Sequence, residues 1–232
     1  MRSSVPHRTV RYDAIAEWYS HLPWTGDAGL IGQSPTGFLG ESLDSERWLD
    51  VACGAGRTAR ELARRGAHVL GLDLSEAMIA QAKVEAGAQT PTVDYRVGDI
   101  TELDTWWDGR PFDGATCEMA YMDIDDLVGT VRSVAEVLRD GAPFLVSLVH
   151  PCFPGNEAGL SSWPPGRGYD AEGYWTSDRH NPEGVRIRVG SSHRTISTYL
   201  NVHLDSGFVL QRVYEPPGAV PIFLVAAFCR AP

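Results

Sequence analysis

Lysine is nearly missing from this 232-residue chain: Lys83 stands alone, and arginine supplies the other side-chain cations. Acids outnumber bases by 30 to 20, giving a formal net charge of -10. No dense basic run occurs. Such a chain is a poor generic binder of DNA, RNA or an anionic membrane surface. No apolar run approaches the ~18 residues of a membrane-spanning helix. The opening residues, MRSSVPHRTVRYDAIAEWY, lack the apolar centre of a secretion signal. A cytoplasmic protein without a nucleic-acid or membrane partner is expected; a homodimer is left open. Cysteine is sparse too. Cys53, Cys117, Cys152 and Cys229 show no CxxC spacing, which removes the usual reason to expect a zinc site or a redox pair. Buried, reduced thiols are expected instead.

What is present is a core. Hydrophobic residues make up 43% of the chain, enough for one sizeable α/β domain. Residues 11 to 21 read as a short helix with Ile15, Trp18 and Tyr19 on one face. Residues 26 to 44 are glycine-rich with apolar positions suited to a second short helix. Strands are then expected at 47–53, 68–74, 93–98, 112–119 and 143–149. Helices fall between them. One spans 57–65 and stops at Gly66; another is capped by Ser75 and runs to about 85. The clearest carries Leu127, Val131, Val134, Ala135 and Leu138 at helical spacing. Residues 151 to 190 break this rhythm with proline, glycine and aromatics, and 185–189 reads as one arm of a small hairpin. A helix over 192–206 and strands at 208–214 and 222–229 follow, the last two as an antiparallel pair at one edge.

Alternating strands and helices predict a doubly wound, Rossmann-like, seven-stranded and mostly parallel sheet with an antiparallel edge. The expected organisation is a set of N-terminal lid helices (1–45), a Rossmann-like core that binds the cofactor (46–150), a substrate cap insertion (151–190) and a segment completing the core (191–232). A loop insertion of that size usually serves binding.

The chemistry concentrates where the first strand meets the first helix, in Leu49-Asp-Val-Ala-Cys-Gly-Ala-Gly-Arg57. Gly54 and Gly56 allow a tight turn and close backbone approach to a ligand. The helix behind them offers free N–H groups. Gly-x-Gly-x-x-Ala alone also fits a dinucleotide fingerprint. Three acids sharpen the choice. Asp50 sits inside the first strand, where it must orient the loop or meet an amine. Asp73 ends the second strand, placed for ribose hydroxyls. Asp99 ends the third, placed for an adenine amine, with Leu74 and Ile100 as flanks. S-adenosylmethionine carries a ribose, an adenine, an amine and a carboxylate, and no phosphate; these groups match the set.

The run DVACGAGRTARELARRGAHVLGLDLSEAMI resembles the first two motifs of class I S-adenosylmethionine methyltransferases. VDYRVGDITEL resembles their third and FDGATCEMAYMDIDDL their fourth, in order, across about residues 47 to 150. Ala52 stands where many members have glycine. The resemblance implies that Gly54 and Gly56 approach the methionine part, Asp73 binds ribose, and Asp99 with Ile100 holds adenine beside Met78. It places Glu118 and Met119 near the amino acid moiety or the sulfonium. The stretch Tyr12-Asp-Ala-Ile-Ala-Glu-Trp-Tyr19 is similar to the helix that closes over the cofactor, which implicates Tyr12 and Tyr19; packing of the lid on the core is the other reading.

Methyl transfer to a hydroxyl needs alignment, exclusion of water and a proton acceptor. His150, at the end of the fifth strand, and His193, after the insertion, are the candidate bases. A loop hydrogen bond and a helix cap are their ordinary alternatives. Tyr121, Phe153, Trp163, Tyr174 and Trp175 are candidates for an aromatic acceptor pocket or for packing of the insertion. Asp123, Asp125 and Asp126 form an acidic run, yet the fifth strand ends in His-Pro without the acid-amide pair of a metal-dependent site. A solvated loop and helix cap is expected there, with no metal. The expected function is methylation of a small molecule at O, N or C, as in natural-product members of the family. The alternatives are a non-methylating enzyme that holds S-adenosylmethionine, such as a cyclase, and an NAD(P)-dependent dehydrogenase.

Overall fold

A computed structural model describes residues 10–22, 34–87, 93–153, 166–176 and 184–232. Trp163 lies outside the described residues, as do 26–33 of the expected second helix. The N-terminal segment holds α1 (Ala16–Ser20). A single 3-10 turn follows at Pro35–Phe38, capped by the Ser34 hydroxyl. The core then alternates: β1 (Arg47–Val51), α2 (Arg57–Arg64), β2 (His68–Asp73), α3 (Glu76–Ala86), β3 (Val93–Val97), α4 (Leu103–Trp106), β4 (Gly114–Glu118), α5 (Leu127–Val137) and β5 (Pro143–Val149). After it come β6 (Gly173–Trp175), α6 (Val185–Val189), β7 (Ser191–His193), α7 (Ile196–Asp205), β8 (Phe208–Tyr214) and β9 (Phe223–Arg230).

The seven-stranded sheet has the order β3-β2-β1-β4-β5-β9-β8. The first five strands are parallel, and β9 runs antiparallel between β5 and β8. The edge pair predicted from the sequence is therefore present, with β8 outermost. Period-two alternation sends β1 side chains to opposite faces. Leu49 and Val51 join a cluster with Val131, Val134 and Phe144 on the α5 face. Trp48 joins Ala59, Leu62 and Ile79 on the face covered by α2 and α3. Strand order reverses at β1, which pairs β2 on one side and β4 on the other. In such sheets the crevice opens beyond the carboxyl ends of the strands at that point.

Three local readings change. Residues 185–189 form α6, not a hairpin arm. Their alternation, Val-Arg-Ile-Arg-Val, suits a strand, but packing of Val185 and Val189 against Ile15 selects a helical turn. The helix expected over 192–206 begins at Ile196, where the Thr195 hydroxyl caps Thr198 N. His193 belongs instead to β7, which pairs antiparallel with β6. Helix α1 is shorter than the 11–21 expected. Of the four free thiols, Cys117 is buried, Cys53 and Cys229 are partly exposed, and Cys152 is exposed.

Candidate functional site

The chain leaves β1 in an unusual conformation. Ala52 has φ +52° and Gly54 φ +54°; Gly56, at φ +79°, is the N-cap of α2. Ala52 thus takes a conformation that glycine adopts more readily. The left-handed turns bring the loop backbone against Asp73. Gly54 N and Ser75 N donate to its two oxygens, each at 2.8 Å. Asp99 is fixed by the amide and hydroxyl of Thr101, at 2.9 and 2.8 Å. Both carboxylates are oriented before any ligand arrives.

A cavity of about 410 Å³ opens there. Among the predicted residues, Ala52, Gly54, Asp73, Leu74, Met78, Asp99 and Ile100 line it, together with Glu118, Met119, Tyr12 and Tyr19. Asp50 and Gly56 are absent from that lining. Asp50 accepts from the Thr116 hydroxyl at 2.8 Å, inside the sheet, and its other oxygen is buried with no hydrogen-bond partner among the described residues. Gly56 sits under Tyr95, whose hydroxyl donates to its carbonyl.

The acceptor candidates fall elsewhere. Tyr121 is fully buried and hydrogen-bonded to His203. Phe153 packs in the main core, and Trp175 is buried. Tyr174 is exposed, with its hydroxyl on Val189 O and the Arg11 guanidinium over its ring. Neither histidine lines the cavity. His150 accepts from Cys152 N through Nδ1 and pairs with Glu215 through Nε2 at 2.8 Å. His193 is buried with Nε2 on Tyr169 O at 2.7 Å.

Residues that sequence reading passed over complete the lining. Arg57 and Thr58 both hold the Glu118 carboxylate. Arg57 had a signal: an arginine in the first turn of a helix opposes the dipole, and so calls for an acidic partner. Asp123 is held by Arg186 at 2.7 Å and by the Tyr12 hydroxyl at 3.1 Å. Arg11 ion-pairs with Asp125. The acidic run is thus tied to cations rather than solvated, except that Asp126 does cap α5. No cluster of metal-ligating side chains occurs among the described residues.

Burial raises Asp50 from its ordinary 3.8 to about 7, the Thr116 hydroxyl opposing the shift and Glu118 adding to it. Between these values the folded chain binds more protons than the unfolded one. The group's favourable share of stability is complete below about pH 4 and is lost as pH rises through about 7. Asp50→Asn removes this titration. Without ligand, its melting temperature relative to the native chain shifts in favour of the variant from about pH 4 to about pH 8. A difference that stays constant with pH would contradict the placement.

Residues 49–141 match a family model described as a methyltransferase domain. The crystal structure of an S-adenosylmethionine-dependent methyltransferase from Mesorhizobium loti is 30% identical, with a TM-score of 0.67; the match covers 84% of this chain and 95% of that one. The chain belongs to the S-adenosylmethionine-dependent methyltransferases. A second structure, described as a putative member from Listeria monocytogenes, is 25% identical with a TM-score of 0.67, covering 94% of this chain and all of that one. A ubiquinone biosynthesis O-methyltransferase of Hahella chejuensis is 34% identical over 109 residues, 47% of this chain and 45% of that protein. The chain therefore spans less than half the length of the curated relatives it matches. The methyltransferase fold and its cofactor, S-adenosylmethionine, are those expected from the sequence. No helix among the described residues is long and apolar enough to cross a membrane.

The cleft suits that cofactor chemically. The cofactor's ribose hydroxyls, adenine amine and ammonium are donors, and the cavity presents the carboxylates of Asp73, Asp99 and Glu118. Met78 and Ile100 supply apolar walls for a purine. A Cβ on Gly54 would stand 3.3 Å from the Met78 methyl, another lining atom, and would fill part of the space. The volume falls in the range of small-molecule sites, about 300–1,000 Å³.

Proposed function

We propose that this methyltransferase transfers the sulfonium methyl group to an oxygen of a small-molecule acceptor. The observation that carries this reading is the cleft at the strand-order reversal, with Asp73 and Asp99 pre-oriented on its walls. The O-methyltransferase names of the curated relatives support oxygen as the methylated atom. In this reading Asp73 takes the ribose hydroxyls, and Asp99 takes the adenine amine between Ile100, Leu74 and Met78. The backbone at Ala52 and Gly54 meets the amino acid part, with Glu118 nearby. Tyr12 and Tyr19 close the cavity from the N-terminal side. S-adenosylmethionine supplies an activated methyl group; the protein aligns the acceptor and excludes water.

The acceptor's proton goes to a carboxylate or to water in this reading. His150 and His193 are left out, because both rings are engaged away from the cavity. Replacing either with glutamine leaves methyl transfer within about threefold of the native rate; a loss of 10²-fold or more, the low end for a missing general base, contradicts this assignment. In this reading α6, whose Val185 and Arg186 line the cavity, forms part of a cap over the acceptor, and the place of action is the cytoplasm. The reaction itself is tested with tritiated-methyl S-adenosylmethionine and a panel of hydroxylated aromatic compounds. Acceptor-dependent transfer onto oxygen is the expected product. Transfer confined to amines, or none to any acceptor, overturns the proposal.

A further inference from the structure

Around the mouth of the cavity, pieces of chain that are far apart in sequence meet at Asp123. The Tyr12 hydroxyl donates to its carboxylate from the N-terminal segment, at 3.1 Å. Arg11 donates to its backbone carbonyl at 3.1 Å. Arg186, from α6, donates to the same carboxylate at 2.7 Å, and also to Gly190 O at 2.7 Å. Arg186 is only 6% exposed. The N-terminal segment also packs on α6: Ile15 touches the cluster of Val185 and Val189, and the Arg188 guanidinium lies over the Trp18 ring at 4.3 Å. On the opposite wall, Asp13 accepts from the Ser75 hydroxyl at 2.5 Å and from Ala77 N at 3.2 Å. Residues 11 to 13 thus bridge the cleft from the β4 side to the start of α3.

We propose that Arg186 is a positioning residue for the cofactor: by fixing Asp123 it fixes Tyr12, and so sets how fast the cofactor escapes from under the N-terminal segment. This rests on the reading of the cavity as the S-adenosylmethionine site. The physical reason is that Asp123 is a largely enclosed carboxylate, its side chain 14% exposed. With Arg186 gone it is a largely enclosed charge without its ion partner, which costs free energy unless it turns to solvent or takes a proton. The first change withdraws the acceptor that holds the Tyr12 hydroxyl, and the second weakens it by removing its charge. Lysine keeps the charge but not the fork, whose two terminal nitrogens face the two Asp123 oxygens at 2.7 and 3.5 Å.

The test is the release rate of S-adenosylhomocysteine, followed by stopped-flow fluorescence after loading the whole protein. Arg186→Gln and Tyr12→Phe each speed release by about tenfold, the loss of one charge-assisted hydrogen bond. The double variant is no faster than the faster single one, because both cut the same link. Arg186→Lys falls between native and Arg186→Gln. If Arg186→Gln does not fold, Arg186→Lys combined with Tyr12→Phe gives the same comparison. A native release rate in the Arg186 variants, or effects that multiply in the double variant, overturns the proposal; a merely structural arginine lowers the melting temperature and leaves the Tyr12→Phe effect intact. If the native protein binds no S-adenosylhomocysteine at all, the reading of the cavity fails first and this one with it.

Discussion

Asp73→Ala weakens S-adenosylmethionine binding by about 1.5–3 kcal/mol, roughly 10- to 150-fold, the value of hydrogen bonds to a charged group. The side chain is unusually well prepared for the task. Two backbone amides hold its oxygens at 2.8 Å, one from the loop after β1 and one from the cap of α3. Little rotamer entropy is left to lose when the ribose arrives. Burial raises its pKa from the ordinary value, and the two amides oppose that shift by favouring the charged form. Asp73→Asn keeps one acceptor oxygen and falls between the native chain and Asp73→Ala. Calorimetric titration of folded variants measures both. Unchanged affinity in Asp73→Ala would remove the ribose assignment.

Gly56→Ala destabilises the fold by about 2–5 kcal/mol, adding a left-handed backbone penalty to an overpacking one. At φ +79° an L side chain is strained before any contact is considered. A Cβ there would also meet the Tyr95 ring, with Cε1 at 2.6 Å and Cζ at 2.7 Å. The ring is mostly buried and cannot swing away as a flexible chain end would. Urea unfolding measures the loss. In a Tyr95→Ala background the same substitution costs only the backbone share, about 1–2 kcal/mol. A cost below that in the native background would show that the turn relaxes, and Gly56 would be an ordinary strand-helix turn after all.

That Gly54, Asp73 and Asp99 meet along one cavity was legible from the sequence, because each lies at or just past a strand end; Gly56, at the same turn as Gly54, is off the lining. A strand, a glycine turn and a helix are local events, and successive parallel strands bring their carboxyl ends together. The network around Asp123 was not legible. Asp123 and Arg186 are 63 residues apart, and their pairing depends on α6, which strand-like alternation disguised. The histidines drew notice as polar groups at strand ends, but Glu215 and Tyr169, which occupy them, are distant in sequence. The aromatics of the insertion carried no periodicity that could separate pocket from packing. Tyr121 shows the difficulty: it follows Met119 by two residues, yet its ring turns into the core to meet His203.

The central claim is that the cleft takes S-adenosylmethionine through its carboxylates. Parallel calorimetric titration of the purified protein with S-adenosylmethionine, S-adenosylhomocysteine and NADH tests it most directly. One-to-one binding of both sulfur nucleosides, with no heat from NADH, is the predicted result. NADH binding without the sulfur nucleosides would contradict the account.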